Sequence, residues 1–490
     1  MGSPSLASRM ALENTQPVAS RHAVTGLILA GWTLLAAFLS VGMPPAVDLP
    51  VQAAQLETLA GLVRGEPLVA QVFEVRWTAG YGLVHWLFLP VALLANGAVA
   101  ARLAWFVTLE LYAVASVLLL RRLGRSEVSL LLVLPFAFGV SYWYGFLAEL
   151  LARDLALLTL AAFCAELDRD RRLLRGLFVL GMLATWLAHL FVFCVLVAVL
   201  LAIVAAQGFR PRAVRLLLLG ASGPALLSVP AVLAVGRRSG ELRPFYDVYA
   251  HTPAWYFRYF RSEGVLSVAL PLLLAAVCAL LAWRRRRVEP REPIAALVAL
   301  TLLFVVCPKS FYAAGEGFSL ANLRLPSLMG LSAVMAADVN GLPRLLRAAL
   351  CALCLASLAE TAAFHHRVRT AVAGLPEVER PGRPDRHATL VLDVGALSGT
   401  GQPYLEHLGE WVTARQGGVG HTLMADSPHF AVHYRAGEEL PANLLAFTPA
   451  QLARLDEVFV LGGGTLPPLL AGFCERARMK AWRRFEPCGR

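Results

Sequence analysis

The chain is poor in charge. Only 16% of its 490 residues are Asp, Glu, Lys or Arg, while 58% are hydrophobic; soluble domains carry about a quarter charged residues. That shortage argues against a soluble globular protein. No internal repeat is visible, which argues against a transporter built from inverted repeats. No basic patch is interleaved with aromatics on a soluble face, so nucleic acid is not an expected partner despite a net charge of +11. The glycine run 462–464 follows an apolar segment but lacks the GxGxxG spacing and the lysine of a phosphate loop, and it reads as a plain turn. The first apolar run, residues 23–43, has no small-residue cleavage site before Pro44 and Pro45 and is too long for a signal sequence. It reads as a retained first helix.

What the chain does have is a series of apolar runs near 20 residues long, recurring from residue 23 to residue 365. A helix of that length crosses a hydrocarbon core with all its backbone groups paired. The expected fold is an all-α polytopic membrane protein of about eleven transmembrane helices with a small C-terminal α/β domain. The expected spans are 23–43, 98–120, 127–145, 152–166, 174–188, 189–206, 213–236, 264–283, 292–307, 326–341 and 343–364. Basic residues cluster after alternate spans: Arg121, Arg122 and Arg125; Arg169, Arg171, Arg172 and Arg175; Arg210, Arg212 and Arg215; Arg284 to Arg287; Arg344 and Arg347. All fall on the cytoplasmic side if the N-terminus, with Arg9 and Arg21, is inside. There they meet the head groups of membrane lipids. Residues 81–97 are apolar enough to cross, yet counting them would move every later cluster outside. They are therefore expected as a juxtamembrane or re-entrant helix.

The expected organisation is a cytoplasmic tail 1–22, a transmembrane region 23–365 with an external loop 44–97, and an extracytoplasmic α/β domain 366–490. In that domain "ATLVLDV" and "EVFVLGG" read as strands and "PYLEHLGEWVTARQ" as a helix. Of eight cysteines, six lie in apolar segments and read as packing residues, the Cys351–Cys354 CxxC included. Cys474 and Cys488 lie in the tail and can pair as a disulfide if the tail is outside the cytoplasm.

Chemistry-bearing residues gather on the external side. Asp48 follows the first span, where a partly desolvated carboxylate can hold a metal, accept a proton or simply cap the helix that begins near Pro50. Glu149 and Asp154 lie at the entrance of a later span, with Arg153 able to neutralise one of them. His189 sits at an external junction of two spans, as a hydrogen-bonded structural residue or part of a substrate loop. Loop 308–325 carries Lys309, Glu316 and Arg324; a guanidinium there needs an anionic partner or must snorkel to head groups. Loop 237–263 carries Tyr256, Arg258 and Arg261 among many aromatics, which either stack on sugars or form an interfacial belt. His365 and His366 adjoin a span end and are expected to face solvent or head groups.

Taken in order, "MPPAVDLPVQAAQL", "YGFLAELLARDL", "HLFVF" and "LANLRLP" resemble the GT-C superfamily of membrane glycosyltransferases, to which protein mannosyltransferases and aminoarabinose transferases belong. The first stretch is similar to one that opens the external loop in a group of bacterial integral membrane proteins. The resemblance covers residues 23–365. It implies transfer of a sugar from a polyprenyl-phosphate donor to an envelope acceptor on the external face. Asp48 takes the place of the catalytic acid, assisted by Glu149 or Asp154, and Arg324 with Lys309 that of the donor-phosphate site. A divalent metal, Mg or Mn, is an optional cofactor. The chain departs from the pattern at Gln52, where a histidine is expected, and at Glu149, where an asparagine is usual. An amide is neither a base nor a good metal ligand. Two other functions stay open: a lipid or polysaccharide transporter, and a non-catalytic membrane assembly protein. Ala-, Leu- and Arg-rich usage points to a high-GC bacterium and hence to its inner membrane.

Overall fold

The computed structural model describes residues 18–75, 82–238, 243–246, 273–278, 280, 291–313, 316–318, 321–337, 339, 342–379, 386–392, 407–420, 431–435, 444–463 and 465–489. The chain is mostly helical. In chain order the helices are α1 (Val18–Ser40), α2 (Leu49–Arg64), α3 (Gly82–Leu94), α4 (Gly97–Arg122), α5 (Glu127–Val133), α6 (Val140–Tyr144), α7 (Leu147–Arg169), α8 (Arg172–Ala188), α9 (Leu190–Ala206), α10 (Pro211–Arg238), α11 (Glu292–Val306), α12 (Pro326–Ala336), α13 (Arg344–Val372) and α14 (Leu408–Gln416).

Four helices among the described residues, α1, α4, α10 and α13, are long and apolar enough to cross a membrane. Their outward side chains are apolar: Leu27 on α1 is 75% exposed and Leu226 on α10 is 72% exposed. Such a surface suits lipid rather than water. The expected count of eleven spans is not reproduced by these four. α7 has 23 residues but carries Glu149, Arg153 and Asp154 in its first turns. α9 and α11 are apolar but have only 17 and 15 residues. The run 127–145 is not one helix. It breaks into α5, a 3-10 turn at Leu134–Ala137 and α6, with Pro135 in the break; proline lacks the N–H that a continuing helix needs. The run 326–341 gives an 11-residue helix that ends at Ala336. Of the run 264–283 only residues 273–278 and 280 are described, as helix. Segment 81–97 yields α3, of 13 residues. At about 1.5 Å per residue α3 is too short to cross.

Two ends of the bundle are chemically distinct. α7 runs between them. At its C-terminal end, buried Glu166 holds Arg175 at 2.9 Å and Arg212 at 3.6 Å, and Arg122 meets Asp168 at 2.6 Å. Three of the basic clusters therefore share one end. The N-terminal end of α7 lies by Asp48. There the C-terminal ends of α1 and α13 also meet, with Arg369 Nη1 donating to Val41 O at 3.3 Å.

The C-terminal region forms a mixed four-stranded sheet in the order β5–β7–β9–β8: β5 (His387–Val391), β7 (Glu457–Leu461), β8 (Phe473–Met479) and β9 (Trp482–Pro487). β5 and β7 are parallel; the other pairs are antiparallel. Cys474 and Cys488 form a disulfide at the open end of the β8–β9 hairpin. This region is not detached from the bundle. Phe459, Leu461, Trp482 and Trp411 belong to the same buried cluster as Trp105 and Trp143, and Trp482 Nε1 donates to Val372 O at 2.9 Å. Strand β1 (Phe73–Val75) of the first loop pairs antiparallel with β6 (Val432–Tyr434) of the tail. Strands β2 (Arg243–Phe245), β3 (Ser310–Ala313) and β4 (Glu316–Phe318) form a second small sheet that ties two further loops together.

The first loop is locked onto the bundle at Gly97. Glu57 Oε2 accepts from Gly97 N at 2.7 Å, and Glu57 Oε1 accepts from Arg64 Nη1 at 2.9 Å. A Cβ at Gly97 would stand 2.1 Å from Ala53 O. Gly97→Ala is therefore expected to push α2 and α4 apart at a cost of about 1–3 kcal/mol, the usual range for overpacking. Thermal unfolding in detergent measures it, and an unchanged midpoint would mean that the two helices are not in this contact.

Candidate functional site

Two adjoining clusters lie at the N-terminal end of α7, held together by the turn 141–146. Asp48 N donates to Tyr144 O at 2.7 Å and Val47 N to Trp143 O at 3.2 Å. These bonds fix the end of the first crossing helix against that turn. Gly145 makes the approach possible: it has φ +75°, and a Cβ there would lie 2.6 Å from Leu49 N. Asp48 sits at the N-cap of α2, yet its side chain makes no capping bond. Its Oδ1 lies 3.6 Å from His407 Nε2, and its side chain remains 20% exposed. His407 comes from the tail, just before α14. Burial pushes its imidazole down to about 4, so it is neutral at pH 7. Gln52, one turn along α2, is buried, and its Oε1 has no hydrogen-bond partner among the described residues.

The second cluster joins three residues that the sequence offers from separate segments. Glu149 Oε2 accepts from Arg324 Nη1 in a short ion pair. Its Oε1 accepts from Ser141 Oγ at 2.6 Å, and His189 Nε2 lies 3.9 Å from Oε2. The Arg324 guanidinium stands over the Phe146 ring at 4.2 Å. All three charged or titratable members are buried. The cavity beside them is about 20 Å³, room for about one water and not for a sugar. Arg324 thus meets a carboxylate where the resemblance would put a phosphate.

Asp154 belongs elsewhere. Arg153 Nε reaches its Oδ1 at 2.8 Å, while Arg153 Nη1 donates to Ala137 O at 3.0 Å. The same guanidinium lies 4.6 Å from the Tyr112 ring, and Tyr112 OH donates to Val133 O at 2.9 Å. Asp154 is fully buried in this arrangement, which pins the broken segment 127–137 and gives no access to a substrate. Lys309 is half-buried just before β3, its carbonyl accepting from Ala321 N at 2.9 Å. Tyr256, Arg258 and Arg261 lie outside the described residues. His365 is a correction: it is buried rather than facing solvent, with Nε2 at 2.8 Å from Tyr142 OH. His366 is exposed.

Among the described residues no three His, Cys, Asp or Glu side chains gather closely enough to hold a metal ion. Asp48 faces an imidazole and Glu149 a guanidinium. Mg and Mn favour sets of oxygen ligands, and a guanidinium repels a cation from its partner carboxylate. The donors described at these two acids fall short of the oxygen set that such a metal takes.

Sequence reasoning passed over His407, Ser141 and Phe146. His407 sits inside "PYLEHLGEWVTARQ", and nothing local distinguishes it; only the packing of the tail on α2 brings it to Asp48. No family model matches the chain, and no curated protein matches it.

Removing one partner of a buried ion pair strands the other charge, at about 3–5 kcal/mol. Glu149→Leu and Arg324→Met are each expected to lower unfolding stability by that order, and the double variant by less than their sum. Denaturant titration in detergent measures this, and strictly additive losses would show that the pair is not coupled.

The tail carries a pH dependence whose sign is fixed by burial. Burial holds His387 and His407 down at about 4, against 6.5 in an unfolded chain. Their contribution is present above pH 6.5 and lost as pH falls towards 4. Burial pushes Glu379 up to about 7 from 4.5 despite Arg415 at 2.8 Å. Its contribution is present below pH 4.5 and lost as pH rises through 7. Between pH 6.5 and 5 two histidines outweigh one carboxyl. Protection of the β5 and β7 amides, taken relative to the intrinsic exchange rate at each pH, should therefore fall on acidification, and more steeply in Glu379→Gln. Protection that does not change with pH would contradict the burial of both imidazoles.

Proposed function

We propose that the chain is a membrane glycosyltransferase that moves a sugar from a polyprenyl-phosphate donor to an envelope acceptor on the external face of a bacterial inner membrane. The bundle in this reading has about eleven spans, adding α7, α8, α9, α11 and the apolar runs 127–145, 264–283 and 326–341 to the four long helices, and the tail is extracytoplasmic. The observation that carries it is Asp48: a carboxylate at the end of the first crossing helix, bound to no helix cap, partly open and facing a neutral histidine. A base placed there can take a proton from a hydroxyl.

In the reaction, Asp48 removes the acceptor hydroxyl proton. The acceptor oxygen attacks the anomeric carbon, the bond from that carbon to the donor phosphate oxygen breaks, and the phosphate leaves with the electron pair. A single displacement inverts the anomeric configuration. His407 orients Asp48 without neutralising it. Lys309 meets the developing phosphate charge, and Arg324 joins it once Glu149 turns away and the space beside the pair, about 20 Å³ in this structure, opens to the donor. Glu149 and His189 position Arg324. No step passes through a metal.

A second reading is a non-catalytic assembly protein. It is favoured by Gln52, an amide in the position where the resemblance puts a histidine, and by an Arg324 already matched by Glu149. The test is transfer from a panel of polyprenyl-phosphate sugars by the purified chain and by Asp48→Asn. Loss of transfer by at least about 100-fold in a folded Asp48→Asn is expected for an essential base. No transfer from any donor by the unaltered chain, or transfer that survives Asp48→Asn, would overturn the proposal; a retained anomeric configuration would overturn the single displacement.

A further inference from the structure

A second, larger cavity lies on the same side of the bundle. It encloses about 490 Å³ where the ends of α1 and α13, the first turns of α4, and α14 of the tail come together. Its walls are apolar in part, with Met43, Val372, Leu408 and Trp411. Into this apolar surround project three arginines from three elements: Arg102 from α4, Arg369 from α13 and Arg415 from α14. No acid lines the cavity among the described residues.

Among the described residues, two of the three arginines have no carboxylate partner. Arg369 stands over the Phe38 ring at 4.2 Å and spends Nη1 on Val41 O, but its Nη2 is buried with no hydrogen-bond partner among the described residues. Arg102 makes one bond, from Nε to the carbonyl of Ala98 in its own helix at 3.3 Å, and no ion pair among the described residues. Arg415 alone has a carboxylate, Glu379 at 2.8 Å. Arg415 and Arg102 are near enough for their charges to repel. Among the described residues, three cations around one space with one carboxylate behind them make the cavity net positive, and a guanidinium with a spare buried N–H calls for an acceptor.

The geometry points to a site for a phosphate group, carried by a lipid head group or free in solution, held by Arg102, Arg369 and Arg415. Phosphate fits because its oxygens accept forked bonds from guanidinium groups at several angles at once. Three of the contributing elements are helices fit to cross a membrane, and the cavity lies at their ends. That is the depth at which lipid phosphates lie. The apolar wall gives the first carbons of a lipid a surface to lie on. The site stands apart from the transferase reading, which uses none of the three arginines. A bound phosphate would join α4 and α13 to α14 and so clamp the tail onto the bundle.

The full chain is purified in an uncharged detergent. Binding of dioleoyl phosphatidic acid, of dioleoylglycerol and of inorganic phosphate is followed by native mass spectrometry and by thermal stabilisation. One phosphatidic acid is expected to bind, with dioleoylglycerol failing to do so. The double variant R102Q/R369Q should weaken binding by at least about tenfold, and R344Q, at the exposed far end of α13, should not. A373E keeps all three arginines and adds a carboxylate to the cavity wall; it should abolish binding and decides the matter if the double variant does not fold. Phosphatidic acid that inorganic phosphate displaces at equal concentration would assign the site to free phosphate, and resistance to displacement would assign it to lipid. Equal binding of dioleoylglycerol, or undiminished binding by folded A373E, would overturn the proposal.

Discussion

A guanidinium buried near the end of a helical bundle must have its charge matched on the spot, because nearby water is too scarce to do it. Arg324 meets that requirement with Glu149, and the surroundings follow from it. Glu149 is held by Ser141 at one oxygen and approached by His189 at the other. Phe146 supplies a ring beneath the guanidinium. The turn 141–146 is thereby fixed to α7, to the junction of α8 and α9, and to the segment that leads into α12. That same turn offers the carbonyls of Trp143 and Tyr144 to the backbone of Val47 and Asp48. The ion pair thus sets, at one remove, where the end of the first helix sits.

The three acids of this region show how environment separates residues of like chemistry. Asp154 is sealed against Arg153, and its role is to hold a broken helix in place. Glu149 is sealed against Arg324. Asp48 alone keeps an open edge and a neutral neighbour. Of the three, it is the most open to solvent.

Part of this was legible in the sequence. The long apolar runs announced helices, and the short apolar runs rich in valine, leucine and phenylalanine at 388–392 and 457–461 announced two strands, because length and composition are local properties. The short helix 82–94 followed from the placement of arginines. The break at Pro135 was concealed by the uniform apolarity of 127–145. The hairpin β8–β9 was concealed too: "FCERARM" carries two arginines and a glutamate, and its turn passes through Lys480 at φ +54° rather than through a glycine. Glu149, His189 and Arg324 each stood out as polar residues in apolar surroundings, but their meeting depends on the crossing of helices far apart in the chain. His407, Arg102, Arg369 and Arg415 gave no such signal. Each looks like an ordinary polar residue near a helix end until the tail packs onto the bundle.

The pairing of β1 with β6 has a temporal side. Arg435, next to β6, donates to Phe73 O in β1 across 362 residues of chain. At about 5–20 residues per second, a ribosome needs roughly 20–70 s to travel that distance. Through that interval the first loop has left the ribosome with an unpaired strand edge, and such edges invite pairing with foreign chains. A truncated chain that ends before residue 432 would keep that edge exposed for as long as it exists.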